Sequence, residues 1–146
     1  MSHGGRVFFT DINEELGLET HQALVDQFGA GRVEFSVHDV RSMESWRLVW
    51  TRAETFFSDT GGVEALVNNA GVYLSGDQDW KRNVIDVNIT GVMHGTELAL
   101  EKMKTGVIVQ VSLTHASHVS FLIVDVSGWI CGLHGEEHCS WSLHLI

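Results

Sequence analysis

No proline occurs in this chain of 146 residues, and no lysine or arginine follows Lys104. Basic residues are scarce throughout: Lys plus Arg number 9 against 19 Asp plus Glu, a formal charge of −10. So acidic a chain is a poor partner for nucleic acid or an anionic membrane surface. Two cysteines, Cys131 and Cys139, are too few for a disulfide framework. No apolar run reaches the ~18 residues that span a bilayer. The opening Met1-Ser2-His3-Gly4-Gly5 has no signal-peptide core. These absences lead to the expectation of a soluble, cytoplasmic protein. What is present supports a packed core: 44% hydrophobic and 19% charged residues, in a length suited to one domain. The final 42 residues, free of Lys and Arg, hold both cysteines, five of the nine histidines, Trp129 and Trp141. Composition therefore breaks near residue 104, as though two segments had different histories.

Periodicity predicts an alternation of strands and helices. Arg6 to Thr10 reads as a buried strand ending at Asp11. Asn13 is a candidate N-cap for a helix to Phe28, with Leu16, Ala23, Leu24 and Phe28 on its apolar face. Val33 to Val37 is a second strand. Ser42 caps a helix to about Phe57 that carries Trp46, Val49, Trp50 and Ala53 inward. Ala65 to Asn68 is a third strand, Trp80 to Met103 one long helix, and Gly106 to Val111 a fourth strand. Strands alternating with helices imply parallel pairing, right-handed crossovers and helices on both faces of the sheet. Ligands of such folds bind beyond the carboxyl ends of the strands.

The residues at those ends are therefore the candidates. Asp11 closes the first strand; a carboxylate there can accept from ribose hydroxyls and repel a 2′-phosphate, although it also precedes a helix that would welcome it. His38-Asp39-Val40 follows the second strand. Asn68-Asn69-Ala70-Gly71 follows the third, where amides can bond nearby backbone and Ala-Gly admits a flat ligand. Asn88 lies inside the long helix, where an amide is a mediocre choice.

Taken in order and spacing, Asp11, Asp39-Val40, Asn68-Asn69-Ala70-Gly71 and Val87-Asn88 make the chain resemble the short-chain dehydrogenase/reductase family over Gly5 to Ser112. Asp26-Gln27-Phe28, Phe35-x-x-x-Asp39-Val40 and Asn69-Ala70-Gly71-Val72 with Trp80 beyond bring it nearest to the NAD-dependent 15-hydroxyprostaglandin dehydrogenase-like members. The resemblance implies an incomplete doubly wound, Rossmann-like α/β sheet over residues 1–112, followed by a divergent tail, 113–146. It implies NAD as cofactor, a secondary alcohol or ketone as small-molecule substrate, and dimer formation through helix 80–103. Asp11 and Ile12 would contact the adenosine ribose. His38, Asp39 and Val40 would line the adenine pocket, with Asp39 facing the amino group. Asn69, Ala70 and Gly71 would pass beside the cofactor, and Asn88 would bend its helix and hold a water of the proton relay.

Set against the family, the chain is expected to lack the opening strand and its glycine-rich phosphate turn. That loss would leave two half-sheets with open inner edges. Val119 to Val126 reads as a strand and is a candidate to fill the gap. The catalytic machinery departs further. The only tyrosine is Tyr73, and with no lysine after Lys104 no Tyr-x-x-x-Lys can follow the fourth strand. A gap-free match puts Ser112 one place early for the catalytic serine, with Leu113 on the position itself; a one-residue gap restores Ser112 to that role, with Thr114 a poorer substitute. The expectation is therefore a chain inactive on its own. The alternatives are a non-catalytic partner of a full-length relative and a non-functional splice or frame variant. In the tail, His134-Gly135-Glu136-Glu137-His138, with Cys131, Cys139 and His144, has zinc-ligand types. Gly132 and Gly135 disfavour the helix such a site needs, so no metal is assigned.

Overall fold

A computed structural model describes residues 5–72, 80–115 and 118–125, with backbone alone at 80, 112–115 and 118–125. The chain forms two units, 1–62 and 63–146.

In the first unit, β1 (Val7–Asp11) pairs in parallel with β2 (Val33–Val37), Val7 opposite Val33 and Asp11 opposite Val37. Parallel neighbours need a crossover, and α1 (Glu14–Phe28) supplies it. Asn13 caps α1 by accepting from the Leu16 amide at 3.1 Å. Gly29 ends it at φ +95°, a conformation that side-chain-bearing residues rarely adopt. The buried face of α1 is only partly the one expected: Leu24 and Phe28 are half-buried, but Leu16 is 58% exposed and Ala23 is exposed as well. Gly17 is the buried residue of the helix. It lies over the Phe35 ring so closely that a Cβ there would stand 2.0 Å from Cζ. Along the same helix His21, Leu24 and Val25 are half-buried while Leu16 faces solvent. The His21 Nε2 lies 3.2 Å from the Val33 carbonyl oxygen.

The other face of β1 and β2 receives α2 (Met43–Phe56), capped by Ser42 through the Ser45 amide. Trp46, Val49, Trp50 and Ala53 are buried, as the periodicity predicts. Alternation along the strands keeps the faces apart. Phe35 meets α1 and tilts against Phe9, while Ser36 accepts from Arg52 Nη1 at 2.8 Å and Phe8 meets Phe56. Arg6 pairs with Asp59 and lies 4.1 Å above the Phe56 ring.

In the second unit, β3 (Ala65–Asn68) runs parallel to β4 (Val107–His115), and β5 (His118–Asp125) returns antiparallel to β4. The strand order is β3-β4-β5. The tail strand is therefore real but does not fill the expected gap: it pairs with β4 on the edge away from β3. The short separation of β4 and β5 along the chain favours this pairing, because an antiparallel hairpin needs no crossover. Among the described residues β3 pairs only with β4 and β1 only with β2, and Val67 of β3 is 54% exposed.

The long helix is also not uniform. α3 (Trp80–Ile85) passes into a π-helical segment, Asp86–Gly91, before α4 (Val92–Lys102). Leu98, Ala99 and Met103 bury against the sheet, and Ile108 of β4 is fully enclosed.

Replacing Gly17 with Ala is expected to destabilise the chain by about 1–3 kcal/mol through overpacking on Phe35, despite a gain in helix propensity of about 1 kcal/mol. Urea titration of the variant beside the parent checks this, and an unchanged midpoint would contradict the packing described.

Candidate cofactor-contact residues at the strand ends

Each unit brings its candidate residues to the carboxyl ends of its parallel strands. In the first unit, Asp11 is exposed, and its Oδ1 accepts from the Asn13 amide at 2.8 Å. The Asp11 carbonyl takes the His38 amide at 2.9 Å, so the ends of β1 and β2 are held side by side. Ile12 is 61% exposed. The end of β1 thus presents a carboxylate and an apolar side chain to solvent.

His38 is almost wholly enclosed, at 3% exposure. Its Nδ1 lies 3.1 Å from Thr10 Oγ1, and its ring meets Trp46 edge-on with centroids 4.4 Å apart. Trp46 in turn donates from Nε1 to the Val40 carbonyl at 2.9 Å. The His38 Nε2 is buried without a hydrogen-bond partner among the described residues. Burial disfavours the imidazolium and carries the pKa down to about 4, although neighbouring Asp39 acts the other way. His38 is therefore a neutral ring inside the strand end, and the solvent-accessible charge there belongs to the half-buried Asp39.

The Asp39 carboxylate is gripped by Arg41. Nε donates at 2.8 Å to Oδ1, Nη2 at 2.7 Å to Oδ2, and the Arg41 amide at 3.0 Å to Oδ1. This fork holds the carboxyl below its ordinary range, so Asp39 is an ionised acceptor at neutral pH. The Asp39 amide donates to Ser45 Oγ at 3.2 Å, which fixes the loop to the first turn of α2.

In the second unit, Asn68 is buried and Asn69, Ala70 and Gly71 are exposed. Asn88 reaches this segment from the π-helical turn. Its Oδ1 accepts from the Val72 amide at 2.8 Å, and its Nδ2 donates to the Val72 carbonyl at 2.9 Å. One side chain thus satisfies both backbone groups of Val72, as a neighbouring strand would. This accounts for an amide in mid-helix, and π-turns are frequent at functional sites. Gly71 stays open: a Cβ there would meet only ordinary contacts, Asn88 Oδ1 at 3.7 Å and the Asn69 carbonyl oxygen at 4.0 Å. Of Ser112 only the backbone is described; it lies within β4 opposite Ser120 of β5.

Sequence reasoning missed two residues of this region. Thr96 on α4 and Gln110 on β4 bond to each other and to Asn68. The one available signal was a Gln inside the apolar run Val107-Ile108-Val109-Gln110-Val111. No group of three metal-ligating side chains occurs among the described residues. Tyr73 and the His134–His138 motif, with Cys131, Cys139 and His144, lie outside them. No helix among the described residues is long and apolar enough to cross a membrane. A shallow cavity of about 580 Å³ beside Arg6, Gly29, Arg32 and Asp59 lies at the opposite, amino-terminal ends of β1 and β2.

Comparison with known proteins covers most of the chain. The sequence model described as short chain dehydrogenase matches residues 1–123. Cyclopentanol dehydrogenase of Comamonas sp. is 31% identical over 119 residues, 75% of this chain and 45% of that protein. Human 15-hydroxyprostaglandin dehydrogenase [NAD(+)] is 31% identical over 100 residues, 68% of this chain and 35% of that one. The crystal structure of a short chain dehydrogenase from Mycobacterium smegmatis superposes with a TM-score of 0.56 at 36% identity, over 67% of this chain and 41% of that one. The chain thus spans less than half the length of these relatives.

Because the His38 pKa is lowered in the fold, the unfolded chain binds the extra proton between pH 6.5 and about 4. Stability is full above that window and falls as pH drops through it. Substituting His38→Gln is expected to flatten this part of the pH profile, as read from urea midpoints at pH 7.5, 5.5 and 4.5. An unaltered slope would contradict a buried neutral ring.

Proposed function

The chain belongs to the short-chain dehydrogenase/reductase family, and from that premise we propose that its residues serve an NAD-dependent transfer of hydride between the cofactor and a secondary alcohol or ketone. Members of the family are oxidoreductases of alcohols that use nicotinamide cofactors. The observation that carries the finer reading is Asn88: two hydrogen bonds to Val72 hold the exposed Asn69–Gly71 segment at the end of β3.

The residues present suit the adenosine side of such a cofactor. The exposed carboxylate of Asp11 would accept from ribose hydroxyls and disfavour a 2′-phosphate, which supports NAD over NADP. Ile12 and Val40 would offer apolar contact. Asp39, kept ionised by Arg41, would accept from an exocyclic amine, while His38 supports the strand end from within. Asn69, Ala70 and Gly71 would lie along the cofactor, with Asn88 holding their far end. The bound nicotinamide supplies hydride chemistry; this chain's residues supply position. A hydroxylated lipid is the substrate class favoured by the resemblance. A cytoplasmic setting suits the low cysteine count.

Proton transfer is the weak point. No Tyr-x-x-x-Lys occurs after β4, and a positioned acid–base group is worth about 10²–10⁴-fold in rate. Ser112 alone would not replace it. The 146-residue chain is therefore proposed to be inactive by itself and to bind NAD at most weakly. NADH fluorescence titration is expected to show weaker binding of NADPH than of NADH. Incubation with NAD and cyclopentanol or a hydroxyprostaglandin is expected to give no enzyme-dependent rise at 340 nm. Preference for NADPH would remove the NAD reading, and a clear absorbance rise would remove the proposed inactivity.

A second reading, a non-catalytic partner, is favoured by one observation. Ile85, Ile89 and Met93 are each more than half exposed and recur every four residues along the helix, which makes an apolar stripe. It fits pairing with a second copy or a full-length relative. Light scattering is expected to give a dimer for the parent and a monomer for Ile89→Asp with unchanged circular dichroism. A monomeric parent would end this reading.

A further inference from the structure

Asn68 and Gln110 stand opposite each other in the β3–β4 ladder. Asn68 Nδ2 donates to Gln110 Oε1 at 2.9 Å and lies 3.4 Å from Thr96 Oγ1. Gln110 Nε2 donates to the same Thr96 oxygen at 2.8 Å, and the Thr96 hydroxyl donates to the Val92 carbonyl at 2.8 Å. Two strands and a helix are thereby closed into one polar ring within a largely apolar layer. Such a ring is costly when half satisfied and rigid when complete. Here the two amides and the hydroxyl match donor to acceptor.

The ring has a counterpart on the same helix. Asn68 is held by Thr96, and Val72 is held by Asn88; the exposed residues Asn69, Ala70 and Gly71 lie between these two anchors. Asn88 and Thr96 are eight positions apart. At about 100° per residue, a regular α-helix would splay them by ~80°. An i→i+5 turn absorbs about one extra residue, which reduces the splay to roughly 20°. The π-helical segment thus brings both side chains onto the face that meets the end of β3.

We propose that Thr96 and Gln110 are positioning residues for Asn69–Gly71, and that the π-helical segment phases Thr96 with Asn88 so that one helix holds both ends of that segment. The ligand significance of the segment rests on the functional reading above; the clamp itself does not. Removing the Thr96 hydroxyl strands Gln110 Nε2 at the buried end of β3 and leaves Asn68 Nδ2 with its bond to Gln110 alone. The near anchor then loosens, and strain reaches the far one at Val72.

Amide exchange of the full chain tests this, with Val72 as reporter. Thr96→Val is expected to speed Val72 exchange about fivefold or more, while Ile108 and Val109 exchange as in the parent and the unfolding midpoint shifts little. Thr96→Ser, which keeps the hydroxyl, is expected to restore parental exchange. Gln110→Met is expected to act like Thr96→Val, and NADH affinity is measured on the same samples. Unchanged Val72 exchange in both variants overturns the proposal. So does equal acceleration at Ile108 and Val109, or loss of cooperative unfolding in both variants, because each makes the ring mere core. A parent that binds no NADH but shows the Val72 response removes the functional reading and leaves the clamp standing.

Discussion

A parallel strand can be reached from its neighbour only by a crossover, and this constraint organises the molecule. β1 and β2 share a direction, so α1 must return the chain across the sheet, and the end of each strand must feed a loop that opens a helix. The same turn therefore carries a strand's carboxyl end and the cap of the next helix. Asp11 bonds the Asn13 amide while Asn13 caps α1; Asp39 bonds Ser45 while Ser42 caps α2. Residues exposed at these turns are held by backbone geometry before any ligand arrives. That is the form of preorganisation a cofactor site needs.

Buried polarity is handled differently in the two units. In the first, His38 is enclosed beside Thr10 and Trp46 with one ring nitrogen unpaired, and burial keeps it neutral. In the second, Asn68, Thr96 and Gln110 satisfy one another, and Asn88 substitutes for a strand at Val72. The first arrangement makes stability depend on acid; the second is independent of pH and depends on the presence of each member. Both keep the strand ends in place.

Much of this was legible in the residues. Helix caps at Asn13 and Ser42, the inward face of α2 and strands β2 and β3 follow from local chemistry that tertiary contacts did not override. The inward face of α1 was only partly legible: hydrophobicity pointed to Leu24 and Phe28, which are half-buried, but also to the exposed Leu16 and Ala23, because the close packing depends on the missing side chain of Gly17. The long helix read as one element because Val84, Val87 and Leu98 remain compatible with an α-helical stripe, while the resemblance marked Asn88 as the residue that bends it; the π-helical segment spans Asn88, which bonds Val72. Thr96 carried no signal at all, since a helical threonine ordinarily bonds its own preceding turn, which it also does here.

By itself, the sequence determined the alternation of strands and helices, the identities of the residues at the strand ends, and the absence of Tyr-x-x-x-Lys after β4. These depend on period, capping and motif, all properties of neighbours along the chain. Only the tertiary structure decided that β5 pairs with β4 rather than lying beside β3, that His38 is enclosed while Asp39 is half-buried, and that Asn88 and Thr96 bond residues on either side of Asn69–Gly71. Each of those depends on which groups from distant positions satisfy one another's hydrogen bonds and fill one another's space. Such pairings are long-range, and no local pattern encodes them.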